Sequence, residues 1–370
     1  MTNQLRNISL DVFRGLTICF MIIVNTAGND ECIYAPLRHA KWHGFTPTDL
    51  VFPSFLFAVG NAIFFGMKSW QTMASTQVYQ RILKRTAIIF IIGFLMYWFP
   101  FVHHTQDGLA FNSFGHTRVF GVLQRIALCY GIGAILIYKF NIRTIWIIAV
   151  GLLLIYWLLL AIGGDYSMLA NLGQKIDLAV IGENHMYHGE GVAFEPEGIL
   201  STLPSIVNVL AGYLTAQYLL SKEGVNKDKV MRLAIIGLGL ILISWGWNEV
   251  FPINKKIWTS SFVLQTVGWD LIILSIFTYL IDILNFRTGM WFFQSAGRNP
   301  LIIYLLSEVL ITLLYFFRTG SGKSWQESIY QTIFSPAGCY AGSFLWAFTY
   351  MLFCWSVGRW LDKKGIYLRA

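Results

Sequence analysis

Long runs of apolar residues recur along the chain, and they restrict the folds that it can adopt. Several runs approach or exceed the roughly 18 to 20 residues that cross a bilayer as a helix. They are continuous rather than alternating, which favours transmembrane helices over a barrel. We predict an all-α, polytopic transmembrane bundle of about ten spans, at approximately 9–28, 50–67, 86–102, 119–138, 144–162, 202–220, 233–250, 260–281, 298–317 and 340–358.

The composition agrees with this prediction. Apolar residues make up 56% of the 370 residues and charged residues 12%, well below the charge content of soluble domains. The net charge of +8 is ordinary for a membrane protein, so we predict no nucleic-acid partner; the bilayer itself is the expected partner. Neither a repeat nor a low-complexity linker divides the chain, and residues 1–370 are therefore predicted to form a single domain.

Lysine and arginine predict the orientation of the bundle. If the N-terminus is cytoplasmic, the inner segments hold eighteen of these residues and the outer segments hold eight. The excess of positive charge on the inner side predicts that both termini are cytoplasmic. In this orientation all seven histidines fall on the outer side, as does the long acidic loop at about 163–201. Titratable side chains are thus expected to concentrate at one face.

Residues 36–60 contain the densest group of proton-transfer side chains, with His39, His43 and Asp49 at the entrance of an apolar helix. The histidines could bond only to the backbone, or one of them could act as a general base, since imidazole titrates near neutral pH. Asp49 could be a helix-capping carboxylate, or it could orient a histidine or a substrate amine. No carboxylate or thiol spacing specifies a metal site, and none is predicted.

For each polar side chain within the apolar runs, both a structural role and a functional role are open. Arg14 could pair with Asp11 on one helix, or hold an anion at the inner mouth. Asn25, near the outer end of the same span, could bond a neighbouring helix or hold a reacting carbonyl, because a buried amide needs partners. Arg125 could join helices or bind an anion.

Two further segments carry candidate residues. Glu197 ends the long outer loop and could be a first-turn carboxylate or contact a cationic substrate. Residues 297–300 (GRNP) are predicted to form an inner loop before a helix, where backbone N–H groups and Arg298 could receive phosphate. The sequence contains neither a P-loop nor a dinucleotide fingerprint.

These motifs together resemble a known family, the transmembrane acyltransferases related to heparan-alpha-glucosaminide N-acetyltransferase. Residues 10–15 (LDVFRG) are similar to the opening motif of the family, and Asn25 follows as expected. The central signature corresponds to residues 39–44 (HAKWHG) and 49–53 (DLVFP). The remaining similar segments follow in order: 118–125 (RVFGVLQR), 181–185 (IGENH), 194–200 (FEPEGIL), 252–258 (PINKKIW) and 297–304 (GRNPLIIY).

The resemblance implies a membrane enzyme that moves an acetyl group from cytosolic acetyl-CoA to an amino sugar at the outer face. It assigns the essential histidine to His39 and the nearby asparagine to Asn25, and we expect Asp49 to assist them. The acetyl-CoA site is expected to involve Arg14, Arg125, Arg298 and Asn299. The acceptor is expected to contact Trp42, His43, Glu197 and Asn254.

Several points stay open at this level. The chain has His43 where the animal enzymes have asparagine, and their lumenal segment has no counterpart in it, which leaves heparan in doubt as the acceptor. A proton-coupled amino-sugar transporter with His39 and Asp49 as its relay is the alternative function. We expect a bacterial inner membrane location. The sequence leaves open a Cys32–Cys339 disulfide, which requires an oxidising outer side, and a homodimer is compatible with it.

Overall fold

A computed structural model describes residues 7–106, 108–221 and 224–367. Within these ranges the chain forms helices and one short hairpin. The helices are α1 (Ile8–Asn25), α2 (Val51–Trp70), α3 (Ser75–Trp98), α4 (Val122–Lys139), α5 (Ile142–Gly163), α6 (Leu172–Val180), α7 (Thr202–Leu219), α8 (Lys227–Asn248), α9 (Ser260–Thr278), α10 (Met290–Arg298), α11 (Pro300–Phe316), α12 (Trp325–Ile329) and α13 (Cys339–Lys363). The hairpin pairs β1 (Val102–Thr105) with β2 (Gly108–Phe111) in antiparallel register.

The all-α membrane bundle predicted from the apolar runs is confirmed. Within the described residues, seven helices are long and apolar enough to cross a membrane: α1, α2, α4, α5, α8, α9 and α13. The bent pair α10–α11 makes an eighth if it is counted as one span. Helices α3 and α7 occupy the other two predicted positions. The count of ten spans stays a prediction.

The cytoplasmic placement of the termini also stays a prediction. Residues 1–6 and 368–370 lie outside the described residues, and so do Arg6, Lys222 and Arg369, which contributed to the inner charge. The single-domain prediction is likewise untested, although one continuous apolar cluster draws buried side chains from helices between α1 and α13.

Two predicted spans differ from the helices observed. The third was expected to reach residue 102, but α3 ends at Trp98 and the β1–β2 hairpin follows, because Pro100 has no N–H to extend the helix. The ninth was expected to begin at Arg298 after a loop. Instead, residues 290–298 form α10, and the chain turns by 81° into α11. Pro300 starts α11, where a missing N–H costs no hydrogen bond.

Glycine allows close contact between two pairs of helices, α2 with α7 and α1 with α10. A Cβ on Gly60 of α2 would lie 1.9 Å from the Val209 carbonyl oxygen, and one on Gly212 of α7 would lie 1.9 Å from that of Phe57. Helix α1 meets α10 in the same way at Gly15, where a Cβ would lie 1.7 Å from the Phe293 oxygen. Such small-residue contacts fix one helix against another in a membrane.

A second, smaller apolar cluster lies under the loops at the end of the bundle where α1 finishes and α2 begins. Its buried members are Tyr156, Leu160, Phe194, Leu200, Phe251 and Ile257. Trp42, from the connection between α1 and α2, packs against it. A Cys32–Cys339 disulfide joins the same connection to the first residue of α13. The α1–α2 connection is therefore held at both of its flanks.

Candidate active site

A cavity of about 430 Å³ lies at this end of the bundle, bounded by α1, α3, α11 and the connecting loops. Its wall is rich in charged and polar side chains from distant parts of the sequence. They are Asn25, His39, Asp49, Tyr97, Arg118, Tyr187, Glu190, Glu197, Lys255, Lys256, Tyr304 and Glu308. The structure thus brings together four residues predicted for the site: Asn25, His39, Asp49 and Glu197.

His39 and Asp49 form a hydrogen-bonded pair in the cavity wall. The distance between His39 Nδ1 and Asp49 Oδ1 is 2.7 Å. The Asp49 side chain is 1% exposed, whereas 43% of the His39 side chain is exposed. Because a carboxylate accepts, Nδ1 donates the proton, and the lone pair belongs to Nε2 on the other side of the ring. The ring is therefore prepared to take a proton at Nε2.

Asp49 is itself fixed by the loop that carries His39. Its Oδ2 accepts hydrogen bonds from the backbone N–H of Ala40 at 3.2 Å and of Thr46 at 3.0 Å. The Thr46 hydroxyl donates to the same oxygen at 3.0 Å. The Asp49 bond from the Thr46 N–H is one half of a capping box in the turn before α2. Both interpretations of Asp49 from the sequence apply together, since one oxygen caps the helix start and the other orients His39.

Lys255 lies against the His39 ring. Its Nζ is 3.1 Å from Nδ1 and 3.2 Å from Nε2. Nearly equal distances to these two nitrogens place the ammonium over the ring face, because in the ring plane it would collide with Cε1. The Nζ atom is also 3.9 Å from Asp49 Oδ1. A carboxylate and an ammonium thus flank one imidazole.

Burial and the Lys255 charge together favour a neutral imidazole over the opposing effect of Asp49. Burial lowers the pKa of His39 from its ordinary value, the hydrogen bond to Asp49 opposes this shift, and the Lys255 charge adds to it. Burial also lowers the pKa of Lys255. A lowered pKa leaves the His39 ring unprotonated at neutral pH, which is the form that a general base needs.

Asn25 is the last residue of α1, and its side chain is exposed on the cavity wall. Sequence analysis predicted a buried amide that would either bond a neighbouring helix or hold a reacting carbonyl. The structure corrects the predicted burial, because α1 ends at the cavity and the amide reaches open space rather than another helix. The Asn25 amide is thus free to bond a molecule in the cavity.

An ion-pair network forms the rim of the cavity. Arg118 donates to Glu195 through Nε at 2.9 Å, and its Nη2 is 2.6 Å from Glu197 Oε2. Lys256 Nζ lies 2.6 Å from Glu190 Oε2. Glu197 therefore lines the cavity, as predicted for a substrate contact, while it is also paired with Arg118.

The three other residues predicted to contact the acceptor do not line the cavity. Trp42 Nε1 donates to the Tyr166 oxygen at 2.9 Å, and its ring packs edge-on against Phe194 at 5.6 Å. Asn254 is buried, and its Nδ2 is 3.3 Å from His43 Nδ1. In this structure these side chains brace the loops that carry His39 and Lys255.

The residues predicted for acetyl-CoA do not form one cluster. Arg125 is buried near the cavity end of α4, donates to the oxygen of Gly198 at 3.1 Å and to the Ser201 hydroxyl, and lies over the ring of Trp258. Arg14 belongs to the opposite end. A rise of 1.5 Å per residue puts it roughly 16 Å from Asn25 along α1.

Arg14 meets the other two predicted residues where α10 turns into α11. Its Nη1 donates to the Gly297 oxygen at 3.3 Å. Arg298 pairs with Asp362 at 3.0 Å, and Asn299 donates to the Ile366 oxygen at 2.9 Å. Arg298 Nε and Asn299 Oδ1 are buried and have no hydrogen-bond partner among the residues described. The α10–α11 turn thus gathers cationic and polar side chains at the end of the bundle opposite the cavity.

Sequence reasoning predicted four of the twelve wall residues named above, and Lys255 and Glu308 show why others were missed. Lys255 stands in a quoted motif, but 216 positions separate it from His39, and no local pattern predicts their contact. Glu308 is a carboxylate inside the predicted span 298–317. It lines the cavity, and within the described residues its side chain forms no ion pair. An intramembrane carboxylate is a signal for function that could have been weighted more heavily.

Comparisons with known proteins identify the family of the chain. A family model described as "Heparan-alpha-glucosaminide N-acetyltransferase, catalytic" matches residues 6–251. The chain is 28% identical over 387 aligned positions to the heparan-alpha-glucosaminide N-acetyltransferase of Homo sapiens, covering 89% of this chain and 57% of that protein. It is 29% identical to the protein of the same name from Mus musculus, covering 90% of this chain and 58% of that protein.

The chain thus spans somewhat more than half the length of these two relatives. Both are named as acetyltransferases, so the transporter alternative gains no support from them. The matched region contains Asn25, His39, Asp49 and Glu197, and the aligned share of the chain is large. The protein is a multi-pass membrane protein that belongs to the heparan-alpha-glucosaminide N-acetyltransferase catalytic family.

Proposed function

We propose that the protein is a membrane acetyltransferase that moves an acetyl group from acetyl-CoA to the amine of an amino sugar. The observation that carries this proposal is the His39–Asp49 pair, with a neutral imidazole in the wall of a polar cavity. A thioester is already an activated acyl donor. The protein therefore needs only to position a neutral amine and to remove its proton.

In the proposed reaction the amine nitrogen attacks the acetyl carbonyl carbon, a C–N bond forms, and the C–S bond breaks. His39 Nε2 takes the proton that the amine loses, and then gives it to the departing CoA thiolate. Asp49 holds the Nδ1 proton and stabilises the imidazolium between these two transfers. General base catalysis of this kind typically contributes about a hundred- to ten-thousand-fold.

Asn25 is the proposed donor to the oxyanion. As the carbonyl carbon becomes tetrahedral, negative charge develops on its oxygen, and a preorganised amide N–H stabilises that charge. One donor of this type is worth roughly 3 kcal/mol in well-studied enzymes. The position of Asn25 on the wall shared with His39 supports this role.

The donor is proposed to approach from the cytosol, with its phosphates near Arg14, Arg298 and Asn299. The two unsatisfied buried atoms at the α10–α11 turn support this site. Tyr304 of α11 lines the cavity and stands about 6 Å along the helix from Pro300. The cavity thus extends toward the inner end, and the thioester would have to reach His39 along α11.

The disulfide supports the orientation of the bundle. Cys32 and His39 belong to the same connection between α1 and α2, and disulfides persist in oxidising compartments such as the periplasm. We therefore propose a bacterial inner membrane location with the cavity facing outward. An amino sugar at that face would be recognised as a cation by Glu197 and Glu308, and it would release one proton to the solvent before the neutral amine attacks.

The proposal is tested by incubating the purified protein with radiolabelled acetyl-CoA and glucosamine. We expect label in N-acetylglucosamine, and a loss of on the order of a hundredfold or more in His39→Ala. His103→Ala is the matched control, because His103 lies on β1 and bonds Asn112 outside the cavity. Equal activity of the two single variants, or full labelling of the sugar by a variant that lacks both histidines, would contradict the role of His39.

A further inference from the structure

A second cavity, of about 280 Å³, borders the first one. Its wall contains Gly93 and Met96 of α3, Leu123 and Gln124 of α4, and Val309 and Thr312 of α11. Tyr97, Tyr304 and Glu308 line both cavities, so the two spaces meet at these side chains. We call this second cavity the slot. It lies among membrane-spanning helices, whereas the first cavity lies under the outer loops.

Helices α3 and α11 form the two sides of the slot, and each packs mainly against other helices. Helix α3 packs closely on α4, and α11 packs on α1, α12 and α13. The hairpin that follows α3 reaches across to the end of α11, where the His104 ring stacks on Phe316 at 4.7 Å and its Nε2 lies 3.0 Å from the Phe316 oxygen. The hairpin covers the outer end of the slot, so we infer that the slot opens sideways toward the bilayer.

Gln124 is an independent sign that the slot takes a ligand. The residue is 0% exposed, and neither its Oε1 nor its Nε2 has a hydrogen-bond partner among the residues described. Burying an amide without hydrogen bonds is energetically unfavourable, because the bonds that it made to water are not replaced. Buried polar groups in folded proteins therefore almost always have a partner. A ligand in the slot that offers one donor and one acceptor would satisfy it.

We propose that the slot holds the hydrocarbon chain of a lipid-linked amino sugar, which is the acceptor of the reaction. This inference rests on the proposed acetyltransferase function. The amine would lie in the cavity beside His39, with Glu308 at the junction and the polar linkage between sugar and chain at Gln124. A free sugar would not need an apolar path at membrane depth, whereas a sugar with a lipid tail cannot reach His39 without one.

The kinetic test compares methyl and dodecyl β-glucosaminide as acceptors for the protein in nanodiscs. We expect a kcat/KM at least on the order of tenfold higher for the dodecyl compound, since burial of its chain in the slot adds apolar contact to binding. Val309→Trp fills the slot and should reduce this ratio toward one. Val150→Trp, on the lipid-facing surface of α5 where Val150 is 52% exposed, is the matched control and should keep the ratio.

The outcomes separate the competing explanations. If Val309→Trp keeps the ratio, the chain only concentrates the sugar in the membrane, and the slot proposal is wrong. If Val309→Trp instead raises the KM for acetyl-CoA with every acceptor, the slot holds the donor, and the proposal is also wrong. If glucosamine is acetylated without any dependence on chain length, the proposed function survives and this inference fails.

A binding readout tests the slot even without turnover. A dodecyl glucosaminide with a photoreactive group at the chain end should label residues 93–96 and 309–312, and excess dodecyl glucosaminide should compete. Equal competition by dodecyl glucoside, which lacks the amine, or labelling confined to α5 and α8, would overturn the proposal. Gln124→Leu should raise the Tm of the unliganded protein and weaken labelling, whereas a purely structural glutamine would lower the Tm when replaced.

Discussion

Two charges of opposite sign act on the His39 ring. Asp49 holds Nδ1 at 2.7 Å in the ring plane, and Lys255 lies about 3 Å from both ring nitrogens. The carboxylate favours the imidazolium, while burial and the ammonium disfavour it. The net result is a lowered pKa, so the ring is ready to accept a proton and Asp49 remains beside it to stabilise the charge that follows.

Removing the Lys255 charge should change the pH dependence of the reaction. Because that charge lowers the pKa of His39, Lys255→Met should raise it and move the acid limb of the kcat/KM profile to higher pH. Lys256→Met should shift the limb in the same direction by less, since Lys256 contributes less to the shift. A limb that stays in place or moves to lower pH would contradict this account of His39.

Replacement of Asn25 separates oxyanion stabilisation from substrate binding. Asn25→Ala should lower kcat by on the order of a hundredfold, with little change in the KM for either substrate, because the hydrogen bond strengthens only as charge develops. Steady-state kinetics with both substrates varied would measure this. A variant with normal kcat and a raised KM would mean that Asn25 binds the acceptor instead.

At the scale of elements, α1 connects the two ends of the proposed reaction. Arg14 lies near its inner end and Asn25 closes its outer end, and the close contact of Gly15 with α10 fixes the helix between them. The 81° turn between α10 and α11 brings Arg298 and Asn299 beside Arg14. Cationic groups for a phosphorylated donor therefore lie at one end of a helix whose other end meets the cavity.

Arg298 can be tested as a phosphate contact against its structural role. Arg298→Gln should raise the KM for acetyl-CoA roughly tenfold, which corresponds to one charge-assisted hydrogen bond. Asp362→Asn breaks the same Arg298–Asp362 pair but keeps the cation, so its KM should change little or fall. Equal increases in both variants would show that the ion pair, not the positive charge, matters.

Much of the element structure could be predicted because its causes are local. Uninterrupted apolar runs specify the helices, and Thr46 with Asp49 specifies the start of α2. The contacts that complete the site could not be predicted, because they join segments that are distant in the sequence. Lys255 contacts His39 in this way, and the slot forms between α3 and α11. The α10–α11 turn was not predicted, because residues 297–300 have the composition of a loop before a helix, whereas in the structure Pro300 follows one helix directly and begins the next.

At the scale of the whole molecule, proton-transfer groups and phosphate-binding candidates lie at opposite ends of a membrane-spanning bundle. The disulfide belongs to the first end, and the basic α10–α11 turn belongs to the second. A soluble acetyltransferase needs no such separation. The arrangement is suited to an acyl group that is offered in one compartment and received in the other, at a site embedded between them.

Transfer across a sealed membrane tests this central claim most directly. Proteoliposomes with the basic end inside would be loaded with labelled acetyl-CoA, and glucosamine would be added outside. The account predicts labelled N-acetylglucosamine in the outer solution, and its loss in His39→Ala. Unmodified glucosamine that accumulates inside vesicles without acetyl-CoA, or acetylation only when both substrates share the inner compartment, would contradict it.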